Sequence, residues 1–524
     1  MPLTAASRLP FFRQRTSLPV PLSPRRQQKG HPVSSDGSAN LLYLHSDQHS
    51  PFVAGCCGDP LVETPHIDGL ARRGVLLENT YCPSPICVPS RMSMLTGRFP
   101  HENRVWTNTH VLDSGIPTLA HAMGAAGLRP LLIGRMHALG PDQLHGYTER
   151  LVGDHAPNHL GGRGVDHGEL SGTAGPARIS LEKSGPGQSA YQVHDEDVAA
   201  AAVDHLNRLG VRRRAGQPAE PFSISVGFML PHQPFVARRQ DYHRYASAMT
   251  MPRKPEPFSD SLHPYFSWWR RTCGIEEVTP EEILRARAAY WALVGVLDTL
   301  IGDILAALER NGLAQNTLIV YTSDHGEQVG EHGLWWKQTF YEESVRVPAI
   351  LCWPGELPAG SRCSRVASSL DLNATMLDAL GAPPLSASRG RSLLPILRAD
   401  SPAGETAANW RDEAFSEYCT DEGCLHRMVR QGPWKLNYYH GQEPQLFNLE
   451  EDADELRDLA ADPACRDVRE ELTSQVLDGW DPDEISARME ELRRDRRILA
   501  DWGRSVRPPD RYRWDLRPEM DYLD

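Results

Sequence analysis

"NLLYLHSDQ", residues 40–48, is the stretch whose reading decides the fold. A short apolar run that stops at Ser-Asp and a second polar side chain is the pattern of a buried strand with polar groups at its carboxyl end. The same pattern returns in "NTLIVYTSDHGE" (316–327). Between the two, helical and strand-like segments alternate: "HIDGLARRGV", "TLAHAMGAAGL" and "RPLLIGRMH", a helix over 195–209 and a strand over 221–229. A long amphipathic helix, "PEEILRARAAYWALVGVLDTLIGDILAALERNGL", precedes the second Ser-Asp. This βαβ rhythm predicts an open α/β sheet. Residues 153–190 are rich in Gly, Pro and Ser and read as a long excursion or lid.

After "RGRSLLPILR" (389–398) the texture changes to short strand-like pieces, "DEAFSEYC", "RMVRQGPWKLNYY" and "QLFNLEEDADELRDLA". They predict a smaller antiparallel domain over 399–524, closed by a charged helix (483–499) and an aromatic tail. Residues 39–398 then form the large α/β domain, and residues 1–38, rich in Pro, Arg and Ser, a disordered tail.

The chain has 524 residues, 40% hydrophobic and 23% charged, as expected of a globular protein with a large core. Its formal charge is −13, yet the first 35 residues hold six Lys/Arg and no acid. The remainder carries 49 basic against 68 acidic residues, a balance of −19 that argues against nucleic acid and anionic membranes as partners. No run reads as a membrane helix, and the opening lacks the apolar core of a secretory signal. Ten irregularly spaced cysteines without Cys-x-x-Cys suggest neither a zinc site nor a disulfide framework, so a cytoplasmic location is expected.

The two matching strand ends deliver Asp47-Gln48 and Asp324-His325. In open α/β sheets ligands bind beyond the carboxyl ends of strands, where two carboxylates can share one cation. Oxygen donors with one imidazole suit Ca²⁺, Mg²⁺ or Mn²⁺; the plainer alternative is that each Asp caps a following turn. Similar strand ends offer Arg135 and His137 in "LLIGRMHALG", and His232 between two prolines in "GFMLPHQPF". Lys337 follows in "GLWWKQTF". Beside a metal these cationic and imidazole groups make a pocket for a tetrahedral oxyanion. In "SPICVPSRMSMLTGR" (84–98), Pro89 suits a first helical position and Gly97 a helix stop, which puts Cys87 just outside a helix N-terminus. Such a place activates a thiol or holds an anion.

Cys87-Val88-Pro89-Ser90-Arg91 followed by "MSMLTGR" resembles the signature of the type I sulfatases of the alkaline-phosphatase superfamily. "TPHIDGLARRGVLLENTYC", "GRMH", "PHQPF", "TSDHGE" and "QLFNLEEDADEL" stand in the family's order, so the resemblance spans about residues 38 to 460. It implies a large mixed, mostly parallel sheet flanked by helices, with a smaller C-terminal antiparallel α+β domain. It also implies that a maturation enzyme oxidises Cys87 to formylglycine, whose hydrated gem-diol attacks the sulfur of a sulfate ester and is restored by elimination of sulfate. By resemblance, Asp47, Gln48, Asp324 and His325, with residue 87, hold one divalent cation, Ca²⁺ first and Mn²⁺ or Mg²⁺ as substitutes. Arg91 and Arg135 support the diol, His137 is its base, and His232 and Lys337 grip sulfate and protonate the leaving oxygen.

Two positions depart from the common pattern: Arg135 stands where the family usually has Lys, and Asp-His where many members have Asp-Asn. The second change, "GRMHALGPDQLHGYTERL" and the closing "WDPDEISARMEELRRDRRILADWG" resemble the branch of choline sulfatases and phosphonate monoester hydrolases. That branch implies a homo-oligomer, and a phosphonate or phosphate ester is the alternative substrate. The segment after "ERL" lacks the tryptophan a quaternary-ammonium cage would use; Trp106, Trp335 and Trp336 are the candidates to replace it. The expected substrate is a small-molecule or carbohydrate sulfate ester.

Overall fold

The structure is a computed structural model that describes residues 39–217, 220–259, 261–398 and 409–524. The tail expected over 1–38 lies outside the described residues, as does the start of the expected smaller domain, 399–408.

Strands β1 (Asn40–Asp47), β2 (Val75–Tyr81), β3 (Pro130–Gly134), β4 (Glu149–Leu151) and β5 (Gly185–Gln188) come first. They are followed by β6 (Ser223–Pro231), β7 (Val236–Ala237), β8 (Thr317–Ser323), β9 (Arg346–Cys352) and β10 (Ser361–Ser368). Eight of these build one sheet in the order β10-β2-β9-β8-β1-β6-β3-β4. Only β9 runs antiparallel to its neighbours, so the sheet is mixed and mostly parallel, as the resemblance implied. β1 lies well inside it, with seven of eight residues buried, which is why its sequence is a nearly continuous apolar run. Successive side chains alternate faces: Leu42 and Leu44 join one core with Ile319 and Tyr321, while Leu41 and Tyr43 join the other with Leu318 and Val320.

Helices cover both faces. Ala190–Arg214, ten residues longer than its sequence suggests, and Pro280–Arg310 pack against β6. The latter starts on a capping box, Thr279 with Glu282, and on Pro280 in the first turn. By length and composition it would span a membrane, contrary to expectation, but most of its apolar stretch is buried in the fold. The excursion over 153–190 contains β5 and a short helix, Ile179–Glu182.

A second, wholly antiparallel sheet follows: β11 (Glu413–Cys419), β12 (Leu425–Gln431), β13 (Trp434–Tyr439) and β14 (Gln445–Asn448). The helix Arg466–Leu477 packs on its middle strands, and the charged helix runs from Pro482 to Val506. Finally β15 (Tyr522–Leu523) pairs with β5, which also pairs with β7, so the aromatic tail returns to the excursion. All ten cysteines are free thiols.

Candidate active site

The site is built where β1 and β8 end together. The two strands pair in parallel with Ser46 opposite Ser323, so Asp47 and Asp324 leave the sheet side by side. Gln48 turns into the left-handed region (φ 66°), and its backbone N–H donates to Asp324 Oδ1 at 3.0 Å. Both carboxylates are wholly buried.

The helix Cys87–Thr96 points its first residue at this pair. Cys87 is therefore the first helical residue and not, as expected, a residue outside the helix. Pro89 sits third, and the first i→i−4 bond is Ser90 N–H to Ile86 O at 3.1 Å. A proline costs nothing at any position before that bond, so it does not mark the start uniquely. Gly97 ends the helix as expected, at φ 68° with its N–H on Ser93 O. Cys87 Sγ lies 3.7 Å from Asp47 Oδ1 and 3.2 Å from His325 Nε2.

One turn along, Arg91 is 1% exposed and holds both acids: Nε donates to Asp324 Oδ2 at 2.9 Å and a terminal N–H to Asp47 Oδ2 at 3.0 Å. Arg135, just past β3, adds a third bond, Nε to Asp47 Oδ2 at 2.6 Å. Gly227 makes this possible: Arg135 N–H bonds Gly227 O, and a Cβ at 227 would lie 1.8 Å from Arg135 O. Burial pushes the Asp47 carboxyl up, but Arg135 and Arg91 outweigh it and hold it well below the usual carboxylate range. Removing Arg91 leaves two buried carboxylates short of a partner. Arg91→Met is therefore expected to destabilise the metal-free protein by about 3–5 kcal/mol in urea denaturation, and a loss below about 1 kcal/mol would show that water replaces the guanidinium.

The donor atoms of Asp47, Cys87, Asp324 and His325 all lie within 4.8 Å of one another. His325 Nδ1 donates to Gly326 O at 3.1 Å, so its Nε2 lone pair faces the cluster. Burial holds this imidazole below its usual pKa and keeps it neutral. Two buried carboxylates and an unprotonated imidazole nitrogen form a donor set that fits a hard divalent cation.

Beside the cluster, His232 Nδ1 donates to Gln233 O at 2.6 Å, which leaves Nε2 to accept from Lys337 Nζ at 2.7 Å. Burial, and then the charge of Lys337, hold His232 well below the usual histidine range. Lys337 also donates to Gln48 Oε1. His137 is placed differently from a free base. An arginine only donates, so Nδ1 accepts from Arg135 at 2.9 Å.

All ten residues singled out in the sequence thus converge on one place. Sequence reading missed Asp154, which accepts from His137 N–H at 2.7 Å and from Arg150 at 2.7 Å while facing Arg135. It also missed Gln233 and Glu327, which hold Gln48; both lie inside motifs already noticed, "PHQPF" and "TSDHGE". The tryptophans considered for a cage are packed away. Trp335 lies against Phe235, Trp336 donates to Ser180 Oγ, and Trp106 packs with Trp480 and Met489.

A mostly parallel sheet that aims acids, a helix-borne cysteine, two arginines and a His–Lys pair at one point defines an enzyme for tetrahedral oxyanion esters. The chain belongs to the sulfatase family, whose profile matches residues 39–382, and is a sulfuric ester hydrolase. Residues 330–480 match the C-terminal part of N-sulphoglucosamine sulphohydrolase. The choline-sulfatase of Rhizobium meliloti is 31% identical over 515 residues, 92% of this chain and 94% of that protein. Arylsulfatase K of Homo sapiens is 30% identical over 447 residues, 80% and 78% of the two chains. In fold, the chain is similar to the phosphonate monoester hydrolase of Agrobacterium radiobacter, with a TM-score of 0.67 and 24% identity over 84% of this chain and 95% of that one.

Proposed function

We propose that the chain hydrolyses a small-molecule or carbohydrate sulfate ester with residue 87, matured from cysteine to formylglycine, as nucleophile. One divalent cation, Ca²⁺ before Mn²⁺ or Mg²⁺, is held by Asp47, Gln48, Asp324 and His325 beside residue 87. The observation that carries this reading is the gathering of Cys87 and three buried metal donors within 4.8 Å. When bound, the cation supplies positive charge to the sulfate oxygens and the nucleophile.

The protein's own groups divide the remaining work. Arg91 and Arg135 fix Asp47, and Arg91 also fixes Asp324, so the donors are already placed before substrate arrives. Lys337 holds a proton on the line to His232 Nε2, which has none to give, and is therefore the proton source for the leaving oxygen. His232 orients that ammonium. His137, the base that the resemblance implies, is oriented by the Arg135 guanidinium on its Nδ1.

Mass spectrometry of the peptide containing Cys87, from protein made in its native host, tests the reading. Conversion of thiol to aldehyde is expected to remove about 18 Da. An unmodified thiol in active protein would sink the formylglycine mechanism in favour of a thiolate or metal-only hydrolase. Rates on matched aryl sulfate and aryl phosphonate then separate the sulfatase from the phosphonate hydrolase that the Asp-Gln and Asp-His pairs also suit.

A further inference from the structure

We propose that Glu327 is a positioning residue that decides which atom of the Gln48 side-chain amide faces Lys337 and the cation. The inference rests on the proposed reading that Gln48 belongs to the metal site. Glu327 is wholly buried. Its Oε1 accepts from Val329 N–H at 3.0 Å and from Trp336 N–H at 2.6 Å, which pins the carboxylate to the backbone of the loop that carries Lys337. Its Oε2 accepts from Gln48 Nε2.

The second N–H of Gln48 goes to Gln233 Oε1 at 2.6 Å. Gln233 is itself oriented, because its Nε2 donates to Ala174 O at 3.3 Å. Both hydrogens of the Gln48 amide are thus taken, and the atom left over is Oε1, which accepts from Lys337. A carboxylate cannot donate and an ammonium cannot accept, so the flip state of this amide is dictated by its partners. Glu327 contributes the partner that tolerates one answer only. It also acts on Lys337 at second hand, since Gln48 Oε1 and His232 Nε2 are the two acceptors that hold the ammonium. Partners that orient a metal ligand matter nearly as much as the ligand itself.

The test is a donor–acceptor reversal read by calorimetric titration of Ca²⁺ into the full-length, chelator-treated protein. In Glu327→Gln, the new side chain keeps Val329 and Trp336 on its oxygen and turns an N–H toward Gln48. Gln48 then either keeps an N–H against an N–H or flips and presents its NH₂ to Lys337 and the cation, and either outcome disturbs the ligand. Calcium affinity is expected to fall about 10- to 100-fold. Adding Gln48→Glu to Glu327→Gln lets a carboxylate at 48 accept from the amide at 327 and returns an oxygen to Lys337. This swap is expected to recover at least about tenfold of the lost affinity, the size of one such partner's contribution.

A Glu327→Gln protein that binds calcium within about threefold of the parent, well inside the usual effect of such partners, overturns the inference. So does a swap no better than the single variant. Should Glu327→Gln alone not fold, Gln48→Glu, which sets two carboxylates in contact, is compared with the swap by the same titration and the same criterion. A parent protein that binds neither Ca²⁺ nor Mn²⁺ is a different result: it counts against the metal site itself, before Glu327 is tested.

Discussion

Replacing Cys87 with alanine is expected to slow turnover of a sulfate ester by about 10⁴-fold or more while leaving the fold in place. The side chain lost is small. It contacts Asp47 and His325 through one sulfur, and the helix that carries it is anchored by Arg91 and by Ser90 Oγ on Asp324 O. What disappears, on the proposed mechanism, is the covalent step. The residual rate, on the order of 10³ over water in enzymes stripped of their nucleophile, would come from the cation and the Lys337–His232 pair. Serine is the informative second substitution. Its alkoxide can attack sulfur but has no second hydroxyl from which to expel sulfate, so Cys87→Ser is expected to release one alcohol per site and stop. Steady turnover by either variant within about tenfold of the parent, far short of the usual nucleophile loss, would remove residue 87 from the chemistry.

Lys337→Met should separate substrates by their leaving groups. Methionine keeps length and burial but removes the charge and the proton. Positioned acids contribute about 10²- to 10⁴-fold, and their share grows as the departing oxygen becomes more basic. A loss of about 10³-fold is expected on an alkyl sulfate and about tenfold or less on a nitrophenyl sulfate, whose leaving group needs no proton. The geometry supports this proposed role: His232 has its one hydrogen on Gln233 O, so it cannot replace the lysine as donor on that line. Equal losses on both substrates would recast Lys337 as a charge that binds sulfate and transfers nothing.

The central part of the fold was legible because β1, β6 and β8 are buried on both faces and so are written as apolar runs. Strand direction was not. Nothing in "VRVPAILCW" announces that β9 runs against its neighbours, because a strand's side-chain pattern is the same read either way. The helix at Cys87 starts two residues before the position Pro89 suggests, because a proline is equally comfortable throughout the first turn. Pro280–Arg310 shows the limit of composition: a core helix and a membrane span share their apolar content, and what separates them is what the helix packs against. The ten candidate residues stood at strand ends and motif positions that a sequence displays. Glu327 and Gln233 did not stand out, since their work is to orient an amide brought to them by a strand far away in the chain, and a hydrogen-bond direction leaves no trace in residue spacing.

The burial of Cys87 imposes an order of events on the making of the protein. Its side chain is 1% exposed beneath the ends of β1 and β8, and 276 positions of chain separate Gln48 from the Asp324 it bonds. Parallel pairing across such a distance is intrinsically slow. Any catalyst that oxidises this thiol must meet it during that interval, before the sheet closes. Thereafter each molecule stays as it was when it folded, oxidised or not. On the proposed formylglycine reading, the competent fraction of a preparation is settled while the chains are being made, and neither added cation nor longer incubation of the finished protein would raise it.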